Sequence, residues 1–242
     1  MKDYHHRRGD DGLPLIEDCV KGSFEDYYTA PEVASAFAAF YNNENGIFDK
    51  FLNFWDVVST RFANNDFVIG YDFFNEPWPA NLYYDISLLL EPTKFDRTVL
   101  YPMTVKATNF LLDRAPNKLV FFEPAQFPDN LPFFGGIVYN IGFPQLPGGQ
   151  DRADVQVLND HTYCCQAAKW MCDEGDPYLS EKEMCRDFHF QRIRTRTEDA
   201  QRMHVPLLIS EFGACSNSEA CFAEITNACD AMDESLANWA HW

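Results

Sequence analysis

The segment GYDFFNEPW, residues 70–78, joins an apolar run to a neighbouring amide and carboxylate. Residues 67–71 form the apolar run, which is short enough for a buried strand. The run is followed by Asn75, Glu76 and Pro77, and a proline cannot continue the interior of a sheet. Because a carboxylate is costly to bury unless it is paired or used, Glu76 is a candidate functional residue.

Composition sets the class of protein. The chain has 242 residues, of which 46% are hydrophobic and 16% aromatic, enough for one large domain such as an α/β barrel. The net charge of −18 argues against a nucleic-acid partner, because a phosphate backbone would be repelled. No apolar stretch approaches the roughly 18 residues of a membrane span, and the opening residues MKDYHHRRGDDG lack a signal-peptide pattern.

The cysteines indicate an oxidising environment. No two of the eight form a CxxC pair, which argues against a zinc ribbon or a thioredoxin-like site. We expect disulfides and an extracellular or endomembrane-lumen location, with free buried thiols as the alternative. The sequence does not settle the pairing. The eight are Cys19, Cys164, Cys165, Cys172, Cys185, Cys215, Cys221 and Cys229.

Apolar runs alternate with helical patterns along the chain, which predicts βαβ units and a parallel sheet. Helical spacing of apolar residues covers 31–41, 47–62, 96–113, 183–203 and 217–235, the last with Phe222 and Leu236 on its predicted buried face. Strand-like runs cover 67–74, 118–124, 154–163, 205–213 and 236–242.

Polar residues gather where these runs end. Asn75 and Glu76 end the first run, Glu123 the second, His161 with Tyr163 the third, and Glu211 the fourth. In a (β/α)₈ barrel that end is the active-site face. A doubly wound sheet is the alternative, but it usually carries a glycine-rich phosphate turn, and none follows these runs.

The predicted barrel is incomplete. Only five strands are found, and the first 66 residues offer helices and polar loop. We therefore expect a TIM-type barrel containing about strands 4 to 8. On this interpretation residues 1–242 are a fragment of one catalytic domain, lacking about three strands and the last helix, and residues 1–30 are a loop-rich segment.

Two carboxylates at one rim can hydrolyse glycosides. Glu76 and Glu211 each end a strand, so one can protonate the leaving oxygen while the other attacks the anomeric carbon. Asn75 can bind a sugar 2-hydroxyl, His161 can hydrogen-bond around the acid, and Tyr163 can orient the nucleophile. A purely structural reading, in which each glutamate pairs with a loop arginine, explains one such residue better than it explains four.

The motifs FNEP at 74–77, HTY at 161–163 and ISEFG at 209–213, in that order, resemble glycoside hydrolase family 5. The wider segment from about residue 19, together with ANWAHW at 237–242, resembles the endoglycoceramidases of that family. The resemblance implies a TIM barrel and a retaining mechanism.

It also implies individual roles. Glu76 would be the acid/base and Glu211 the nucleophile, and Trp242, or else Trp239, would stack under the sugar. The family also uses an arginine and a histidine from earlier strands, which are not found here; His5 and His6 stay unassigned. Trp78 and Trp170 are candidate rim aromatics that core packing explains equally well.

Three functions remain open. The first is a retaining β-glycosidase that cleaves glycan from ceramide. The second is another family 5 enzyme, a β-glucosidase, β-glucanase or steryl glucosidase, and the third is a non-catalytic glycan- or lipid-binding remnant. We expect a glycolipid or β-glycan partner, transient contact with a membrane surface, no nucleic acid, no cofactor and no metal. The oligomeric state is open.

Overall fold

The computed structural model describes residues 6–21, 27–28, 30–126, 130–131, 137–167, 172–173 and 176–242. Trp170 lies outside these residues, as does part of the predicted loop-rich segment 1–30. The strands in chain order are β1 (Gly70–Asp72), β2 (Leu119–Phe122), β3 (Asn130–Leu131), β4 (Ile137–Val138), β5 (Gln156–Thr162), β6 (Cys172–Asp173), β7 (Asp176–Pro177), β8 (Leu207–Phe212) and β9 (Asn238–Trp239).

Five of these strands form a parallel sheet with the order β1-β2-β5-β8-β9. The order in the sheet is the order in the chain, which is the arrangement of consecutive strands in a (β/α)₈ barrel. β3 with β4, and β6 with β7, form small antiparallel ribbons apart from it. The predicted α/β class with five parallel barrel strands is therefore confirmed.

Helices connect the parallel strands. The α-helices run over Ile16–Cys19, Pro31–Tyr41, Ile47–Phe62, Ser87–Leu90, Tyr101–Arg114, Cys164–Ala167, Lys182–Met203 and Glu219–Ser235. Short 3₁₀ turns cover Glu44–Gly46, Gln150–Val155 and Leu179–Glu181, and a π-helical turn covers Asp96–Leu100.

Local sequence explains several helix boundaries. Pro31 occupies the first turn of its helix, where the missing N–H costs nothing. Ser218 caps the helix Glu219–Ser235 by accepting from the Cys221 backbone N–H at 3.0 Å. The helix Lys182–Met203 ends at His204 in the left-handed conformation that often closes helices.

The core lies between the sheet and these helices. Val120, Phe122, Leu158 and Ile209 are fully buried on the strands. Helical side chains such as Ile193 pack in the same cluster. Removing this apolar surface from water is the main contribution to folding, and it fixes where the strand ends lie.

Gly70 allows β1 to lie close against β2. Any Cβ atom at this position would collide with the backbone carbonyl of Leu119 and with the ring of Phe121. The glycine in the opening segment is therefore required for the strand pairing that delivers Glu76 to the rim.

Some predicted details are wrong. The strand predicted over 67–74 is only Gly70–Asp72, and the last strand is only Asn238–Trp239. Phe222 is 62% exposed because it lies outside the face that carries Cys221, Glu224 and Ala228. Leu236 is 89% exposed because the helix ends before it, with Leu236 itself in the left-handed conformation.

The cysteines form three disulfides, Cys164–Cys185, Cys165–Cys172 and Cys215–Cys221. Cys19 and Cys229 are free thiols. The bond between Cys164 and Cys185 joins the segment after β5 to the helix Lys182–Met203. Within the described part of the chain, no helix has the length and apolar character needed to cross a membrane.

Candidate active site

Glu76, His161 and Glu211 meet where β1, β5 and β8 end. His161 Nδ1 lies 2.8 Å from Glu76 Oε1 and 3.5 Å from Glu211 Oε2. One oxygen of each carboxylate and a ring nitrogen of His161 all lie within 4.8 Å of one another. The His161 side chain is buried, while each carboxylate is about one-fifth exposed. The site is therefore open enough to receive a ligand.

Tyr163 contacts the second carboxylate. Its hydroxyl donates a hydrogen bond to Glu211 Oε2 at 3.0 Å. Burial, and then the negative charge of Glu211, raise the pKa of Tyr163, so the phenol stays protonated and remains a donor. A donated hydrogen bond stabilises negative charge on Glu211.

Ser210 holds the other side of the His161 ring. His161 Nε2 lies 3.1 Å from Ser210 Oγ. The pairing of β5 with β8 shifts here, since Asp160 pairs with Ile209 but His161 pairs with Glu211. Ser210 is thus the extra residue of a β-bulge, a feature that redirects side chains at barrel rims. The bulge lets both Ser210 and Glu211 reach the same imidazole.

The backbone of Glu76 is in the left-handed region, with φ of +45°. Its N–H donates to Glu123 Oε2 at 2.8 Å. Glu123 is 3% exposed and directly follows β2, the strand beside β1. Glu123 therefore supports the carboxylate-bearing turn from below.

The two C-terminal tryptophans flank the end of β8. The backbone N–H of Trp242 donates to the Phe212 carbonyl at 3.1 Å, and the Trp239 ring packs edge-on against the Phe212 ring. Trp242 is 69% exposed and Trp239 46% exposed. Gly213, with φ of +97°, makes this turn, and a Cβ there would lie 2.6 Å from His241 Nε2. Both indoles keep surface that a ligand can cover.

Asn75 and Trp78 lie on either side of the Glu76 turn. Asn75 is exposed, and Trp78 is half-buried. The Trp78 ring packs edge-on against Tyr28 at 5.1 Å between centroids, and its carbonyl accepts from the Tyr41 hydroxyl at 2.7 Å. Trp78 therefore serves packing at least in part.

A buried charge network supports the histidine. Asp160, next to His161, binds Arg192 Nη2 at 2.9 Å and Arg196 Nε at 2.6 Å. Burial raises the pKa of Asp160, but the two arginines outweigh it and hold the value at about 2. Arg192 Nε also donates to the His161 carbonyl at 2.6 Å. The helix Lys182–Met203 thus fixes the end of β5.

The sequence interpretation did not include these supports. Ser210, Asp160, Arg192 and Arg196 were not candidates, and Glu123 was noted only as the polar residue that ends the second run. A signal was present, because two arginines four positions apart lie on one helix face and suit a buried acid. Nothing local identified the acid as Asp160 or predicted the bulge at Ser210.

A metal ion is chemically conceivable here, because Glu76, His161 and Glu211 each offer one ligand atom. Within this cluster, His161 Nδ1 already has a hydrogen-bond partner, because it lies at hydrogen-bond distance from Glu76. A second cluster, Cys164 and Cys185 with Glu224, is not a thiolate site because the two sulfurs form a disulfide.

Parallel barrel strands with paired carboxylates at their carboxyl ends are typical of a (β/α)₈-barrel glycoside hydrolase. The family model for cellulase (glycosyl hydrolase family 5) matches residues 3–242, and the chain belongs to this family.

Two curated relatives are endoglycoceramidases. The chain is 26% identical over 233 residues to that of Cyanea nozakii, and 25% identical over 230 residues to that of Hydra vulgaris. These matches cover 96% and 95% of this chain but 40% and 39% of the relatives. The chain thus spans about two-fifths of their length.

Solved structures show the same fold. Endo-glycoceramidase II from Rhodococcus sp., in a complex with ganglioside GM3, matches with a TM-score of 0.70 at 20% identity. The match covers 91% of this chain and 46% of that one. The lactosyl-enzyme intermediate of the same protein matches with a TM-score of 0.69 at 21% identity.

Proposed function

We propose that the protein is a retaining β-glycoside hydrolase that cleaves the bond between glycan and ceramide in glycosphingolipids. The observation that carries the proposal is the placement of one Glu76 oxygen and one Glu211 oxygen within 4.8 Å, with His161 between them. Carboxyl groups about 5–5.5 Å apart suit retention, whereas inverting enzymes need roughly 6.5–9.5 Å for a water molecule.

Glu211 acts as the nucleophile in the first step. Its oxygen attacks the anomeric carbon while Glu76 gives a proton to the leaving oxygen, so a glycosyl-enzyme forms and the lipid alcohol departs. The Tyr163 hydroxyl, 3.0 Å from Glu211 Oε2, supports the assignment by holding the carboxylate's orientation.

Glu76 acts as the base in the second step. It takes a proton from water, which attacks the anomeric carbon and releases Glu211. His161 lies against Glu76 and can stabilise each of its charge states. Asn75 binds the sugar 2-hydroxyl, and Trp242, or else Trp239, stacks against a sugar face.

The choice of substrate rests on the relatives. Two are endoglycoceramidases by name, and a structural neighbour was solved with a ganglioside. A β-glucan is the second candidate, because the matching family model is described as cellulase. A β-glucosidase or steryl glucosidase activity uses the same two carboxylates.

The setting follows from the substrate and the disulfides. Three disulfides suit an extracellular or endomembrane-lumen location. Because glycosphingolipids lie in membranes, the protein contacts a membrane surface during catalysis, and this contact is transient. Residues 1–242 then contain both the acid/base and the nucleophile of one catalytic domain.

A direct comparison of substrates tests the proposal. The natural protein is incubated with ganglioside GM3 in detergent, with a cellulose oligosaccharide and with a steryl glucoside, and products are identified by mass spectrometry. We expect free glycan and ceramide from the ganglioside, and none from a Glu211→Gln control. Cleavage of only the glucan or the steryl glucoside would transfer the proposal to that substrate, and no cleavage of any would reject it.

A further inference from the structure

Glu123 is a third carboxyl group beneath the paired carboxylates. Its side chain is fully buried, and it contacts the acid/base turn through the hydrogen bond from the Glu76 N–H at 2.8 Å. Its other oxygen lies 3.3 Å from Asn159 Nδ2 and 3.6 Å from His161 Nε2. Glu123 therefore contacts both Glu76 and the ring that lies against Glu76.

The environment of Glu123 suits a neutral carboxyl. Burial first, and then the negative charge of Asp72, raise the pKa of Glu123 well above its usual range. Asn159 Nδ2 links the two carboxyls, since it donates to Asp72 Oδ2 at 2.6 Å and to Glu123 Oε1 at 3.3 Å. As a neutral group, the Glu123 carboxyl can stay buried with the Glu76 N–H and the Asn159 amide as its hydrogen-bond donors.

The backbone conformation of Glu76 explains what the hydrogen bond to Glu123 stabilises. A residue other than glycine in the left-handed region costs free energy, which the surroundings must offset. The hydrogen bond to Glu123 is formed by the N–H of this very residue. Without it, the turn can relax and carry the Glu76 carboxyl away from His161.

We propose that Glu123 is a positioning residue for the acid/base: it holds the Glu76 backbone in the left-handed conformation and so fixes the Glu76 carboxyl against His161. The proposal rests on the proposed function, in which Glu76 protonates the leaving group. It assigns Glu123 no contact with the substrate.

The test compares two aryl β-glycosides in the natural protein and in Glu123→Leu. A substrate with a poor leaving group needs protonation by Glu76, whereas a dinitrophenyl glycoside needs little. Since a misplaced catalytic group costs roughly a hundredfold, we expect kcat/KM to fall by about that factor for the poor leaving group. For the dinitrophenyl glycoside we expect a fall of less than about tenfold.

Two further variants sharpen the test. Glu123→Gln keeps an acceptor for the Glu76 N–H and should recover most of the loss. Glu123→Asp withdraws the carboxyl by one methylene and should show the same leaving-group selectivity as Glu123→Leu. It replaces Glu123→Leu in the test if the leucine variant does not fold. The matched control is Glu224→Leu, a buried glutamate that accepts from the Cys164 N–H at 2.9 Å and does not contact Glu76. Any loss there should be equal for both substrates.

Equal losses for both substrates in the Glu123 variants, or no loss in either, would overturn the positioning role while leaving the glycosidase intact. An inactive natural protein on every aryl β-glycoside would instead reject the proposed function, and the positioning role with it.

Discussion

At the scale of single residues, Glu76 and Glu211 differ in their neighbours. Glu76 has the imidazole of His161 at 2.8 Å and a backbone N–H bound to Glu123, whereas Glu211 has the hydroxyl of Tyr163 at 3.0 Å and the imidazole only at 3.5 Å. A phenol is only a donor to a carboxylate, which favours constant negative charge, whereas an imidazole can give or take a proton. These surroundings support a nucleophile at Glu211 and an acid/base at Glu76.

The two carboxylates should therefore fail differently when changed to glutamine. Glu211→Gln cannot form a glycosyl-enzyme from any substrate. Glu76→Gln should still react with an activated aryl β-glycoside, accumulate the glycosyl-enzyme, and regain turnover with azide, which needs no base. The measurement is turnover with and without azide, with identification of a β-glycosyl azide. Azide rescue of Glu211→Gln to a β-linked product, with Glu76→Gln inert, would show that the roles are reversed.

Tyr163→Phe should slow catalysis without unfolding the protein. Loss of a hydrogen bond to a charged group costs about 1.5–3 kcal/mol, or roughly 10- to 100-fold in kcat/KM. The matched control is Tyr71→Phe, which removes a buried hydroxyl that donates to the Ser59 carbonyl at 3.3 Å, on the helix side of the sheet. With an aryl β-glycoside, kcat/KM should be lower for Tyr163→Phe than for Tyr71→Phe. Equal activities of the two variants would show that Tyr163 does not assist Glu211.

Sequence reasoning located Glu76, His161, Tyr163 and Glu211 because each lies at the end of an apolar run. The ends of parallel strands meet at one edge of a sheet. Sequence reasoning could not find Ser210, whose role depends on a one-residue shift between β5 and β8. It did not identify a role for Glu123, because that role depends on the left-handed backbone conformation of Glu76, which only the three-dimensional structure shows.

At the scale of elements, β5 is the most heavily supported strand, since every residue from Gln156 to Thr162 is buried. The helix Lys182–Met203 braces its end through Arg192 and Arg196 on Asp160, and through the Cys164–Cys185 disulfide. Thr162 adds a second contact with this helix, since its hydroxyl oxygen lies 2.7 Å from His189 Nδ1.

Asp160 should make stability fall in acid. Its pKa is about 2 in the folded protein, below the ordinary 3.8, so between these values the unfolded chain binds more protons. The stabilisation is complete above about pH 4 and is lost as the pH falls towards 2, by about 2 kcal/mol.

Asp160→Asn at pH 7 should cost roughly 3–5 kcal/mol, because two buried arginines lose the negative charge of the carboxylate that both bind. Its unfolding free energy should also depend less on pH between 4 and 2 than that of the natural protein. Asp187→Asn on the same helix, where the aspartate is 81% exposed, should change stability by less than about 0.5 kcal/mol. Denaturant unfolding across this pH range measures both, and an unchanged acid dependence in Asp160→Asn would contradict the expectation.

Periodicity predicted the helices within a residue or two at most ends, because apolar residues recur at helical spacing along most of them. It overestimated β1, which is only Gly70–Asp72, because an apolar run does not show where backbone pairing stops. The π-helical turn Asp96–Leu100 had no signal, and the predicted helix 96–113 included it.

At the scale of the whole molecule, the two carboxylates come together across three strand spacings of the parallel sheet. β2 and β5 separate β1 from β8, so three strand spacings of about 4.8 Å would place the ends roughly 14 Å apart in a flat sheet. Oxygens of Glu76 and Glu211 nevertheless lie within 4.8 Å. Two extended glutamate side chains and the curl of a barrel sheet together close this gap, and the sequence could predict the strand order but not this distance.

Because the carboxylates lie this close, Glu211 can attack the anomeric carbon directly, and the natural protein should hydrolyse with retention. Proton NMR of an aryl β-glycoside digest should show the β-anomer first, with the α-anomer appearing only by mutarotation. Added methanol should give the methyl β-glycoside, because the glycosyl-enzyme is open to attack from the same face. Glu211→Gln controls for contaminating glycosidases and should give neither product. An α-anomer as the first product would mean that the two carboxylates act from farther apart than the described sheet places them.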